Sequence, residues 1–277
     1  MSVEFHFESD DLDEHIRRVQ AEVPIGRFSP DSLNQLLGGI YRGRFHIFES
    51  EPGVGKTTGM GQIADHAAQN GFVVIIATLE IAPHQWIAKS LARLSEGKLT
   101  ISDVVAGSNS EAFERTLETY RREIAPNVIF VEGPIESDDL ASLVATVKRE
   151  TNKPILLLVD YLQVISTNLA DERMAIKDIA YHLRKIANRE DIQVIAASSL
   201  NRTSYGKTPS IGGSSGSGAI EYSADAVLHM REIKSKAEGE EFSPIRAIEI
   251  TALKNRYGQK GIIQLLFDTE HATFLER

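Results

Sequence analysis

The sequence predicts an α/β fold, a mostly parallel, doubly wound sheet closed by a C-terminal β-hairpin. Three observations carry that prediction. The runs 72–77, 155–159 and 193–197 are almost continuously apolar rather than alternating, as strands buried on both faces are. Between them lie stretches with apolar residues at helical spacing, most clearly Ile176, Ile179, Leu183 and Ile186. The run 45–50 passes through a glycine turn directly into a helical pattern from about Thr57 to Ala68, a strand–loop–helix unit.

That loop is the first chemical landmark. It reads Ser50-Glu51-Pro52-Gly53-Val54-Gly55-Lys56-Thr57-Thr58. Two glycines let successive backbone N–H groups turn inward around a phosphate chain, and the following helix N-terminus adds partial positive charge. Lys56 can reach the β- and γ-phosphates, and the Thr57 hydroxyl can ligate Mg²⁺. The pattern is the P-loop G-x-x-x-x-G-K-[ST] with one departure, Ser50 at the first glycine. Glu51, Pro52, Gly53, Val54, Gly55, Lys56, Thr57 and Thr58 are therefore candidate ATP-binding residues.

Three strand tips complete the candidate site. The run 72–77 ends in Thr78-Leu79-Glu80, where a carboxylate can face the γ-phosphate. Glu80 is the candidate general base for an attacking water; the competing assignment is a helix-capping acid for the segment from Pro83. The run 155–159 ends in Asp160, a Walker B carboxylate able to hold Mg²⁺ through water. The polar tip Ser199-Leu200-Asn201-Arg202 falls near the γ-phosphate in a doubly wound sheet, so Ser199 joins the candidates.

The remaining elements follow in order. Residues 1–24 are front-loaded with acid (Glu4, Glu8, Asp10, Asp11, Asp13 and Glu14) and suggest a solvated arm or linker, or a segment that docks on a neighbouring subunit. They look unlike a signal peptide. Leu33, Leu36 and Leu37 mark an entry helix ended by Gly38-Gly39. A helix is expected from Pro83 to Leu94. Ser108-Asn109-Ser110-Glu111 has capping-box spacing ahead of a face formed by Phe113, Leu117, Tyr120 and Ile124. Residues 128–131 read as a strand, and Leu140, Leu143, Val144 and Val147 mark a helix. Residues 205–218, rich in Gly and Ser, read as a tether. The runs 247–253 and 262–267 form the predicted hairpin, with Lys254 and Arg256 near its turn. Residues 25–277 read as one ATPase domain.

Composition removes several function classes. With no cysteine there are no disulfides, no Cys-type zinc sites and no thiol catalysis, which fits a reducing cytoplasm. No apolar run reaches membrane-spanning length. A net charge of −9 does not favour DNA over the whole surface, although a ring needs positive charge only in its channel.

Taken together, the motifs make the chain similar to the RecA-like ATPase domain of DnaB-type replicative helicases. The resemblance runs from about Pro24 to the C-terminus. It rests on Gly53-Val54-Gly55-Lys56-Thr57-Thr58, Thr78-Leu79-Glu80, Val159-Asp160-Tyr161-Leu162-Gln163, Ser199-Leu200-Asn201-Arg202, Ser217-Gly218-Ala219-Ile220-Glu221, Ala224-Asp225 and Lys254-Asn255-Arg256. It implies ATP and Mg²⁺ as cofactors and a homo-oligomeric ring of six with ATP at each subunit boundary. Single-stranded DNA, and a primase or loader protein, are the implied partners. It implies Lys56 and Thr57 on phosphate and metal, Glu80 as base, Asp160 on the metal, and Arg256 as an arginine finger acting in trans with Lys254 beside it. Arg202, Ser215, Gly216 and Gly218 become candidate DNA contacts. A RecA- or RadA-like recombination ATPase, or a DNA-independent switch acting on a protein, is the alternative.

Three departures accompany the resemblance. Ser199 stands where the family usually has Gln. Gly213, Ser214, Ser215 and Gly216 replace a run that usually carries arginine. The short acidic arm stands where a helical domain often precedes the ATPase domain, so a stand-alone ATPase domain is the expectation.

Overall fold

Strands form at each run that the sequence predicts and at four further segments, 135–136, 165–166, 226–232 and 273–276. In chain order they are β1 (Phe45–Ser50), β2 (Val73–Thr78), β3 (Val128–Glu132), β4 (Ile135–Glu136), β5 (Ile155–Asp160), β6 (Ile165–Ser166), β7 (Gln193–Ser199), β8 (Ala226–Glu232), β9 (Ile245–Asn255), β10 (Ile262–Asp268) and β11 (Thr273–Glu276). The helices are α1 (Leu33–Leu37), α2 (Lys56–Gln69), α3 (Pro83–Leu94), α4 (Ile101–Val105), α5 (Glu111–Thr119), α6 (Ser137–Glu150) and α7 (Glu172–Glu190). The structure is a computed structural model and describes residues 12, 13, 16, 17, 19, 22–78, 81–107, 110–162, 165–167, 169, 171–200, 205, 222–233 and 243–277.

A 9-stranded sheet runs in the order β11-β10-β9-β8-β1-β7-β5-β2-β3. From β8 to β3 every pair is parallel; β8 to β11 are joined antiparallel. Both faces are covered, which is why most of β2, β5 and β7 is continuously apolar, while the buried Glu49 of β1 has His229 of β8 as a partner. In β5, Leu156 and Leu158 face one core with Met60 and Ile63 of α2 and Trp86 of α3. Ile155, Leu157 and Val159 face the other, with Val144 of α6 and Ile179 and Leu183 of α7. Successive side chains of a strand point to opposite faces, so one apolar run builds both layers.

The structure extends one expectation and corrects another. The C-terminal hairpin is part of a four-strand antiparallel unit, because β8 and β11 join β9 and β10. His229 and Arg231 interrupt the apolar pattern of β8, and the four residues of β11 are too few to show a period. The α5 cap is Ser110, whose side chain accepts from the Phe113 N–H, so the helix begins at Glu111 rather than after Ser108. The reciprocal capping box lies at α4, between Thr100 and Asp103. There Asp fills the place that the S/T-x-x-E pattern reserves for Glu.

Candidate functional site

β1 delivers the loop to the C-terminal end of the sheet. All six of its residues are buried, and the chain then turns through Gly53 (φ +79) and Gly55 (φ +105). Gly55 is required twice over. Its backbone is left-handed, and a Cβ there would lie 2.8 Å from Phe267 and 3.0 Å from Phe274. Those two rings stack with centroids 4.5 Å apart, so the β10–β11 hairpin presses directly on the loop.

Lys56 curls back over its own loop. Its Nζ donates to Ser50 O at 3.0 Å, Ser50 Oγ at 2.9 Å and Glu51 O at 3.3 Å. The departure at Ser50 thus has a structural consequence: its hydroxyl accepts from Lys56 and donates to Glu51 O at 2.6 Å. Thr57 Oγ1 donates to Asp160 Oδ2 at 2.7 Å, joining the helix start to the buried tip of β5. Thr78 pairs with Asp160 across the sheet, and Ser50 with Ser199, so the strand tips converge.

A cavity of about 350 Å³ lies over this convergence, lined by Pro52, Gly53, Gly55, Lys56, Thr57, Thr58, Asp160 and Ser199. Glu51 lies outside that lining, and Val54 buries its side chain in the core. The predicted Glu80, Arg202, Ser215, Gly216 and Gly218 lie outside the described residues, as do most of the acidic arm and the Gly/Ser tether. Among the described residues no group of three His, Asp or Glu could hold a metal. A hydroxyl and a carboxylate at 2.7 Å are nonetheless hard oxygen donors of the kind that hold Mg²⁺ together with phosphates.

Sequence reasoning missed Arg246, Lys89 and Phe267, which line the same cavity. Arg246 Nη2 donates to Gly53 O at 3.2 Å and Nη1 to Glu232 at 3.3 Å, with its guanidinium 5.1 Å from the Phe267 ring centroid. Nothing in its local sequence marks it. It reaches the loop only because β9 starts at this end of the sheet.

Lys254 and Arg256 lie at the other end. Lys254 pairs with Val227 and Asn255 with Ala226, and Ala226 is level with His46 near the start of β1. Ten residues of extended β9 separate Arg246 from Arg256, roughly 30 Å at ~3.3 Å per residue. The two cations therefore cannot serve the loop of their own chain. Lys254 Nζ donates to Ala224 O at 2.7 Å, and Arg256 Nη1 to the buried Asp225 Oδ1 at 3.2 Å. Beside them a cavity of about 380 Å³ is bordered by Arg44, His46, Asp225, Asn255 and Tyr257. Burial lowers the His46 pKa to about 4; the nearby Asp225 partly offsets this, while Arg44 and Arg184 add to it.

The family model of the DnaB-like helicase C terminal domain matches residues 29–276. The chain belongs to this family. Among DnaB-type relatives, "Replicative DNA helicase DnaB" of Pasteurella multocida (strain Pm70) is 28% identical over 254 residues, 88% of this chain and 54% of that protein. The protein of the same name from Buchnera aphidicola subsp. Acyrthosiphon pisum (strain APS) is 27% identical over 251 residues, 87% of this chain and 54% of that one. "Replicative DNA helicase DnaC" of Bacillus subtilis (strain 168) is 27% identical over 252 residues, 88% of this chain and 54% of that one. The chain thus spans about half the length of the curated relatives it matches. Among solved structures, one of an ATPase domain superposes with a TM-score of 0.83 at 21% identity, covering 99% of this chain and 100% of that one. A DnaB-like replicative helicase solved for its interactions with primase gives 0.80 at 21%, covering 100% of this chain and 68% of that one. The α/β architecture expected from the sequence is thus the one shared with DnaB-like ATPase domains. No helix among the described residues is long and apolar enough to cross a membrane.

Proposed function

We propose that this chain is an ATP hydrolase that works as a DnaB-like helicase or translocase on single-stranded DNA. It would assemble as a ring of six, with ATP bound at each boundary between copies, in the cytoplasm. One observation carries this reading. The phosphate-binding loop and Asp160 lie at one end of the sheet, while Lys254 and Arg256 lie at the other. A site built from Lys56, Thr57 and Asp160 of one copy, which its own Lys89 and Arg246 already line, can gain Lys254 and Arg256 only from a neighbour.

In this reading the backbone N–H groups of the loop and Lys56 hold the phosphates; on nucleotide binding Lys56 exchanges its contacts with Ser50 and Glu51 for phosphate oxygens. Thr57 and Asp160 would hold Mg²⁺, which draws charge from the phosphoryl group in transfer. Glu80 takes the proton of the attacking water, and the neighbour's Arg256 and Lys254 neutralise charge on the transferring group. Ser199 lies where the γ-phosphate would be sensed, with a shorter reach than glutamine. Arg202, Ser215, Gly216 and Gly218 are assigned to the DNA backbone. A primase or a loader is the proposed protein partner, by analogy with the relative solved with primase in view.

The test is steady-state ATP hydrolysis with and without single-stranded DNA, with Lys56→Ala as the blank, followed by unwinding of a forked duplex. Stimulation by DNA and unwinding are expected. Hydrolysis indifferent to DNA would replace this reading with the protein-directed switch, which the Gly/Ser composition of 212–218 favours.

A further inference from the structure

Asp225 has little contact with solvent, its side chain being 1% exposed, yet it serves two arginines. Its two oxygens divide the work. Oδ2 accepts the Phe45 N–H at 3.0 Å, at the root of β1, and pairs with Arg184 of α7. Oδ1 accepts from Arg256 Nη1 at 3.2 Å. The backbone repeats the link, because the Arg256 N–H donates to Asp225 O at 2.8 Å and Lys254 Nζ donates to Ala224 O at 2.7 Å. One short segment, Ala224-Asp225, therefore holds both cations.

This geometry has a physical consequence. A carboxylate gripped on one oxygen by a core amide and a guanidinium cannot rotate, so the direction of its other oxygen is fixed. Among the described residues, one carboxylate shared by two arginines leaves that triad with a net positive charge at this end of the sheet. Arg184 is the more enclosed of the two, 19% exposed against 42% for Arg256. Arg256 is the one oriented toward solvent with charge to give.

We propose that Asp225 is the positioning residue of the arginine finger: its Oδ1 aims Arg256 at the ATP of a neighbouring copy without itself touching nucleotide. This rests on the reading that Arg256 acts in trans.

The test is complementation between variants of the full chain. Asp225→Asn keeps the shape and removes the charge. Its own loop is intact, so nucleotide affinity should stay within about twofold while kcat falls at least ~10-fold, the signature of an interaction made only in the transition state. Lys56→Ala is inactive through its loop but keeps its finger. Mixed in equal amounts, the two should recover about one quarter of wild-type hydrolysis, the share of boundaries that pair an intact loop with an intact finger in a randomly mixed ring. Arg256→Ala mixed with Lys56→Ala is the control and should recover to the same degree. Recovery in the control but not with Asp225→Asn overturns the positioning role and leaves the trans reading standing. No recovery in the control overturns the trans reading and the proposal with it. Wild-type kcat in Asp225→Asn also overturns the proposal. If Asp225→Asn does not assemble, Asp225→Glu replaces it, keeping the charge but displacing it by one methylene; wild-type kcat there means that position is immaterial and defeats the proposal equally.

Discussion

The two ends of the sheet are built on opposite plans. At the loop end, function rests on backbone: left-handed glycines, strand tips in register and an aromatic pair pressing from β10 and β11. At the end proposed to carry the finger it rests on side-chain charge: Arg184 and Arg256 pair with the buried Asp225, Arg44 pairs with Glu22 close by, and the buried His46 stays neutral. A phosphate cradle gains from rigidity, since its donors must already point inward when the ligand arrives. A group offered to a neighbour needs a defined direction and a charge that its own chain does not fully neutralise.

The largest expected effects come from removing the working cation at either end, and they should differ in kind. Lys56→Ala should abolish hydrolysis and weaken nucleotide binding together. Arg256→Ala should lower kcat by at least ~10³, as an arginine finger does, with binding of ATP nearly unchanged. Equal loss of binding in both variants, measured by calorimetry, would erase the distinction between the ends.

Next is the rigidity of the cradle. Gly55→Ala combines a left-handed φ with a Cβ at 2.8 Å from Phe267 and should cost about 4 kcal/mol from backbone strain and overpacking together. Thermal melting and ATP affinity should both fall, and in a double-mutant cycle with Phe267→Ala, itself costly because the ring is buried, the two losses should be less than additive. Fully additive losses would mean that the aromatic pair does not press on the loop.

The finger end should be the acid-sensitive one. The folded-state pKa of His46 is lowered from 6.5 to about 4 by burial, and its Nδ1 has no hydrogen-bond partner. The neutral ring is the folded form, so its stabilisation is full above pH 6.5 and is lost as pH falls toward 4. At ~1.4 kcal/mol per pKa unit the loss reaches about 3 kcal/mol. Urea midpoints across that window should slope for the wild type and be flatter for His46→Asn; equal slopes would place the acid sensitivity elsewhere.

The smallest effect sharpens the loop end. Ser50→Gly restores the motif glycine and removes the hydroxyl between Lys56 and Glu51. Loss of these hydrogen bonds should cost about 1 kcal/mol in stability. The rate of hydrolysis should change less than about threefold, because Lys56 leaves Ser50 when phosphate binds. A large fall in rate would show that the serine takes part in catalysis.

Much of the loop end was legible in the chain. The spacing of Gly53, Gly55, Lys56 and Thr57 after an apolar strand specifies a cradle locally, because the turn, the helix start and the donors all lie within a few residues. Asp160 stood out only beside the loop motif, since an Asp ending an apolar strand is common by itself, and the structure brings it to Thr57. Arg246 and the Phe267–Phe274 pair were not legible, since they reach the loop from about two hundred residues away through strand order alone. β8 was missed for a related reason: His229 breaks its pattern, and its place is fixed by Glu49, whose carboxylate meets His229 Nδ1 at 3.1 Å on the neighbouring strand.

The sequence by itself determined the α/β class and the parallel core and marked the candidate residues of the loop, because periodicity and short motifs are local properties. Only the tertiary structure decided that Lys254 and Arg256 face away from their own loop, held there by Ala224 O and Asp225 respectively. Strand order and register set those distances, and they follow from how both cores close around the sheet.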